Sequence, residues 1–343
     1  MNLYFKENNL DKNANVGMYF KTLFMISAFV VPLALMGTGV ITTTPMIFAA
    51  YIISGLGTAG IGMCVMHDAI HGSYSKNKVV NYIFSLTMNM IGANATVWKI
   101  QHNVLHHSYT NINEADSDLD QPFFLRFDPH KEWMPIHKYQ YMYFWFFYGL
   151  STLSWITAKD FKKMKQFKDM GFLTKKNEYR NAQLTALVWK LAYYVYALVI
   201  PLMVLPVSAG VVVLAFICMH FVTGLALGFV FQMAHIMPKL DFPTTNQFGE
   251  VENNWTVHQL LTTTNFCPNS RLLTWMVGGL NYQVEHHLLP HVCHVHYRKL
   301  APIVKQTAEE FGIPYHSKRT FGKAVKAHVK MLYELGRPVS VAA

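Results

Sequence analysis

Residues 22–66 read "TLFMISAFVVPLALMGTGVITTTPMIFAAYIISGLGTAGIGMCVM", and these 45 residues contain no Asp, Glu, Lys or Arg. A helix that crosses a bilayer needs about 20 apolar residues, so the stretch fits two spans. Gly37, Gly39 and Pro45 mark the turn between them. Residues 191–238 lack the same four residue types, and Pro201, Pro206 and Gly210 bracket a second turn. The expectation is an all-α integral membrane protein with four transmembrane helices arranged as two hairpins. Composition agrees: 52% of the 343 residues are hydrophobic and only 14% are charged, against about 25% charged in soluble domains. A cleavable signal peptide does not fit, because the first 18 residues are largely polar and the apolar run is too long. "GLGTAG" (55–60) matches a dinucleotide fingerprint but lies in an apolar span with no strand before it. Small residues for close helix packing explain it better.

Charge sets the orientation. Residues 159–180 hold eight Lys or Arg against three acids, residues 298–337 hold nine against three, and the turns inside the hairpins hold none. Lys and Arg collect on the cytoplasmic side, so both termini and the central region are expected there, in a bacterial inner membrane or the endoplasmic reticulum. The net charge of +10 reads as topology plus attraction to anionic lipid, not as nucleic-acid binding. Two further apolar stretches, 79–98 and 139–158, are read as buried or interfacial helices on the cytoplasmic face, the second because it is rich in Tyr, Trp and Phe. One domain results. Its parts are a cytoplasmic tail (1–19), hairpin 1 (20–66), a cytoplasmic or interfacial region (67–184), hairpin 2 (185–234) and a cytoplasmic C-terminal part (235–343).

Histidines cluster where these boundaries fall. "HDAIHGS" holds His67 and His71, "QHNVLHHSYT" holds His102, His106 and His107, "FQMAHIM" holds His235, and "NYQVEHHLLP" holds His286 and His287 with Gln283 one turn earlier. Residues four apart share a helix face about 5–6 Å apart, so His67/His71 and His102/His106 can each share a metal. His107 points about 100° away from His106 and is free to serve a second ion. All eight fall on one side of the spans. Eight imidazoles exceed the four ligands of a tetrahedral zinc and point to two metals. Imidazole suits iron, zinc, copper or nickel; the residues alone leave zinc open, while redox chemistry beside a bilayer favours iron. Asp68, Glu285, Asp116 and Asp118 flank the clusters and can accept the second N–H of a ligating imidazole. For Asp116 and Asp118 a solvated loop is the competing reading. The four cysteines have no metal-type spacing.

The order H-x-x-x-H, H-x-x-x-H-H and Q-x-x-H-H, interleaved with two hairpins from about residue 20 to 315, resembles the membrane-bound fatty acid desaturase family. Gln283 at the head of the third box resembles the front-end subgroup, which inserts a double bond between an existing one and the carboxyl end. The stretches "HHSYTNINEADSDLD", "HKYQYMYFWFFYGL" and "WMVGGLNYQVEHHLLPH" carry the same resemblance. It implies a cytoplasmic helical cap holding a non-haem di-iron site. There O2 is activated, two hydrogens leave adjacent methylenes of a CoA- or lipid-linked acyl chain, and two further electrons arrive from outside to complete reduction to water. His67, His71, His102, His106, His107, His286 and His287 would be iron ligands, and His235 matches the family's isolated extra histidine. Gln283 would be a ligand or orient one. Stearoyl-type relatives carry an asparagine where Phe231 stands; Gln232 is a substitute for it.

No H-P-G-G haem motif occurs in the chain. The resemblance therefore implies a separate donor, a ferredoxin or a b5-type cytochrome with an NAD(P)H reductase, attracted to a basic face that includes Lys162, Lys163 and Lys165. Two other functions are compatible with the residues: a hydroxylase using the same irons, and a metal-ion carrier. A carrier would place its ionisable groups near the midplane, whereas these sit at one surface. His220 is expected to make an interhelical hydrogen bond. His130, His137, His316 and His328 are expected at the surface, and His258, His291, His294 and His296 near the third box.

Overall fold

Four helices in the computed structural model are long and apolar enough to cross a membrane: Val16–Gly37, Thr44–Ile70, Glu178–Val204 and Ala209–His235. The chain is a multi-pass membrane protein. The structure describes residues 1–119, 122–247 and 250–338. Helix starts follow the sequence: the Asn15 side chain accepts the Met18 N–H and caps the first long helix, and Pro45 opens the second. Residues 79–98 break into short helices within Lys78–Ser85, Thr87–Met90 and Ala95–Trp98, none long enough to span a bilayer.

The chain divides into two compact units. One contains Ala14–Ile100 and Phe146–Gly228; the other contains Met1–Asn13, Gln101–Trp145 and the described residues from Phe229 onward. In the first unit the second long helix is 72% buried and the third only 22%, so the second lies inside and the third turns most of its surface outward. The glycines expected to pack helices do so. A Cβ on Gly57 would meet the Phe29 backbone nitrogen at 2.5 Å, and one on Gly55 would meet the Met219 carbonyl oxygen at 2.6 Å. Polar groups are paired across this packing: Ser54 Oγ donates to the Phe29 carbonyl at 3.1 Å, and Tyr51 OH donates to the Ala197 carbonyl at 2.8 Å. His220 lies 2.8 Å from Tyr193 OH and 3.2 Å from Thr152 Oγ1. Midway along the third helix, Lys190 forms a buried ion pair with Asp160 at 2.7 Å. It also donates to the carbonyls of Gly92 and Trp155.

In the other unit, residues 1–13, read from the sequence as part of a tail, fold in: Phe5 of the short helix Asn2–Glu7 is buried with Tyr282, Val292 and Tyr297. Asn265–Phe266 and Ser317–Lys318 form a two-stranded parallel pair. Arg126 donates to the carbonyls of Leu335 (2.8 Å) and Arg337 (3.2 Å). Its positive charge thus sits at the carbonyl end of the helix Phe321–Leu335, where cations are favoured. Two histidines expected at the surface are buried instead. His328 donates from Nδ1 to the Ile236 carbonyl at 2.8 Å, and His137 donates from Nε2 to the Phe123 carbonyl at 2.7 Å.

Removing one partner of a buried ion pair strands the other charge, at a cost of about 3–5 kcal/mol. Lys190→Met is therefore expected to lower thermal stability in detergent sharply. Lys190→Met combined with Asp160→Leu is expected to recover most of the loss, as a double-mutant cycle of melting curves would record.

Candidate metal centre

The second box does not sit on a regular α-helix. Lys99–His106 is a π-helical segment, wound so that each N–H reaches back five residues, as often happens at functional sites. Residues five apart are therefore neighbours. His102 Nε2 lies 3.3 Å from His107 Nε2, whereas the His102 and His106 rings stack with centroids 5.2 Å apart. His102 and His106 still group, together with Asp118, as a candidate ligand set, so the i, i+5 contact adds to the expected i, i+4 pair. His106 and His107 do point to different places.

His106, His235 and His287 form one cluster, with candidate ligand atoms all within 4.8 Å. Each is tied from behind. Nδ1 of His106 faces the Asp116 carboxylate at 3.0 and 3.1 Å, Nδ1 of His235 the Thr262 carbonyl at 3.2 Å, and Nδ1 of His287 the Gln259 amide oxygen at 2.7 Å. These oxygens accept, so each Nδ1 carries its proton, and in the neutral ring the lone pair lies on Nε2. His235 Nε2 is buried with no hydrogen-bond partner among the described residues. That is the arrangement of a metal-ligating imidazole. Burial disfavours a charged His106, but Asp116 and Asp118 outweigh it and hold its pKa up at about 9. The two carboxylates, 3.0 and 3.6 Å from His106 Nδ1, likewise favour a cation beside this ring.

The second cluster is His102, His107 and His286. Their Nε2 atoms form a triangle with sides of 3.3, 3.0 and 3.4 Å. Nitrogens bound about 2.0–2.1 Å from one ion would stand about 2.9–3.4 Å apart, so the triangle fits a single metal. Tyr297 OH lies 3.4 Å from His286 Nδ1. His287 also groups with His107 and His286, so the two clusters adjoin. In the other unit, His67 and His71 have ring centroids 4.8 Å apart, and both pack edge-on to Trp98.

The flanking residues sort themselves by contact. Asp116 is buried, not solvated. Its oxygens also accept from the backbone N–H groups of Asn111 (3.0 Å) and Asp118 (2.9 Å). Asp118 accepts from Gln101 at 2.6 Å and stands 3.9 Å from His102 Nδ1. Gln232 lines a cavity of about 10 Å³ together with His106, Asp116, Asp118 and His235, while Phe231 packs edge-on to His102. Asp68 is buried 3.8 Å from His67 Nδ1. Gln283 is buried, its Nε2 without a hydrogen-bond partner among the described residues. Glu285 faces away from the clusters: its oxygens accept from Asn265 (2.8 Å) and Tyr315 (2.7 Å). Burial pushes its carboxyl up to about 7 against those two hydrogen bonds.

Gln259, Thr262 and Tyr297 were not singled out in the sequence. The signal for the first was there in "WTVHQLLT", where Trp255 and Gln259 stand one helical turn apart. Because Asp116 orients His106, Asp116→Ala is expected to weaken metal binding about 10–100-fold. A chelator-competition titration with the purified protein measures this.

Residues 42–319 match the sequence pattern of the family described as fatty acid desaturase. The sn-1 linoleoyl-lipid 6-desaturase of Arthrospira platensis is 32% identical, covering 98% of this chain and 90% of its own length. The acyl-lipid (8-3)-desaturase of Physcomitrium patens is 33% identical, over 97% of this chain and 69% of its own. An sn-1 linoleoyl-lipid 6-desaturase of a Synechocystis species is 29% identical, over 97% and 92%. With a family match across most of its length and relatives this similar, the chain belongs to the fatty acid desaturase family and is an oxidoreductase of that kind.

Proposed function

We propose that the chain is a front-end acyl-lipid desaturase with two histidine-held irons. The observation that carries this is the pair of histidine triads, His106–His235–His287 with each Nδ1 tied to an oxygen and His102–His107–His286 with converging Nε2 atoms. His67 and His71 join the ligand set on their spacing and shared helix face. Gln283 serves as a further ligand or orients one, and Gln232 borders the cavity beside His235. Asp116, Asp118 and Asp68 stand behind the ligands, and Glu285 anchors the third box. When bound, the irons supply the O2-activating chemistry that removes two hydrogens from adjacent methylenes. The chain's own part is to hold imidazoles in one tautomer, bury them from bulk water and align an acyl chain against them.

The charge distribution supports two hairpins with both termini and a helical cap on the cytoplasmic side. Gln283 and the names of the relatives support a lipid-linked acyl substrate that already carries a double bond, with the new one on its carboxyl side. The family match and the desaturase relatives favour this over hydroxylation or metal transport. Electrons come from a separate acidic carrier that docks on the basic face of the helix Asp160–Asp169. Lys163 is buried, so the docking residues are the exposed Lys162, Lys165 and Lys168.

In a host supplied with a matching donor, mono- and diunsaturated lipids are expected to gain a double bond on the carboxyl side of an existing one, located by mass spectrometry. A new bond on the methyl side, or conversion of saturated chains alone, would overturn the front-end reading. Replacing Lys162, Lys165 and Lys168 by Glu is expected to raise the KM for the donor and flatten its salt dependence. The product should stay the same. Unchanged donor kinetics would exclude this face.

A further inference from the structure

The helix Trp255–Thr262 contributes no residue to either histidine cluster, yet it touches three of the cluster histidines. Asn254 caps it by accepting the Val257 N–H. Trp255 Nε1 and Gln259 Nε2, one turn apart, both donate to the backbone carbonyl of His107, at 2.9 and 3.1 Å. The Thr262 carbonyl takes the His235 Nδ1 proton. Gln259 itself is fully buried, and its oxygen meets His287 Nδ1 at 2.7 Å.

We propose that Gln259 is a positioning residue: it sets the tautomer of His287 and locks the second histidine box to the third, and so decides how tightly the His106–His235–His287 cluster holds its metal. The proposal rests on the metal-centre reading above. Its logic is one of forced assignments. A carbonyl only accepts, so the end of the Gln259 amide that faces the His107 carbonyl is the NH2. The other end is therefore the oxygen, and an oxygen facing Nδ1 makes that nitrogen the protonated one. His287 Nε2 is then left as the lone pair. Thr110 Oγ1, 2.9 Å from the same amide oxygen and 2.7 Å from the His106 carbonyl, closes the network.

This position needs a donor and an acceptor on one rigid group. Glutamate would keep the acceptor for His287 but set a carboxylate oxygen against the His107 carbonyl. Leucine would answer neither partner: the His107 carbonyl would keep only its bond from Trp255, and His287 Nδ1 would lose the amide oxygen.

The test uses full-length protein in detergent, loaded anaerobically with Fe(II) alone, and reads iron per chain and affinity by chelator competition. Gln259→Leu is expected to bind one of two irons about 10–100-fold more weakly. Gln259→Glu is expected to recover most of that affinity, because His287 keeps its acceptor. Trp255→Phe loses a bond to the same His107 carbonyl without touching His287, and is expected to stay near wild type. Equal affinity in Gln259→Leu and wild type would overturn the proposal. Equal loss in Gln259→Leu and Trp255→Phe would overturn it too, by reducing Gln259 to a prop for one carbonyl. If Gln259→Leu does not fold, Gln259→Glu decides: binding as weak as in His287→Ala sinks the idea, and near-native binding upholds it. A wild-type protein that takes up no iron would instead overturn the metal-centre reading itself.

Discussion

An imidazole offers a metal one nitrogen when the other is held as N–H, and the unit that carries the second and third boxes is arranged to meet that requirement at three of its histidines. Each acceptor is of a different kind. Asp116 brings a carboxylate to His106, Gln259 an amide oxygen to His287, Thr262 a backbone carbonyl to His235, and Tyr297 a phenol near His286. The backbone is shaped to deliver them. Asn111 takes up a left-handed conformation (φ 59°), which asparagine tolerates better than most residues. Its side chain then donates to the carbonyls of His235 and Asp241, pinning the loop that presents Asp116.

The third box shows how short elements are made rigid. Gln283–Leu288 is a six-residue helix, far below the length at which a helix stands alone, yet it carries a histidine for each cluster. Asn265 accepts its Val284 N–H at 2.9 Å and donates to Glu285 at 2.8 Å. Tyr315 accepts from Asn265 and donates to Glu285. Both residues belong to the chain around the small parallel strand pair, so that pair ties a distant C-terminal segment to the box. Glu285 is an anchor for the histidines next to it.

The four long helices were legible because absence of charge over 45 residues has few physical explanations. The boxes were legible because repeated imidazole spacing does too. The further approach of His102 to His107 was not: a π-helical segment looks like an α-helix in sequence, and only its wider turn brings residues five apart together. Gln259 was missed because its one-turn spacing from Trp255 marks a shared helix face but not the His107 carbonyl both residues reach. His137 and His328 were misread for the opposite reason. A polar ring reads as surface until the backbone carbonyls of Phe123 and Ile236 are seen to receive its protons.

The buried Lys190–Asp160 pair bears on how the molecule is made. Charge is costly inside a bilayer, and Lys190 is the last charged residue before the uncharged run 191–238. Asp160 leaves the ribosome about 30 residues earlier, together with Trp155, whose carbonyl also receives the ammonium. The acceptors are therefore synthesised before the charge that needs them. The third long helix thus docks on a segment made before it, through one buried ion pair and one carbonyl.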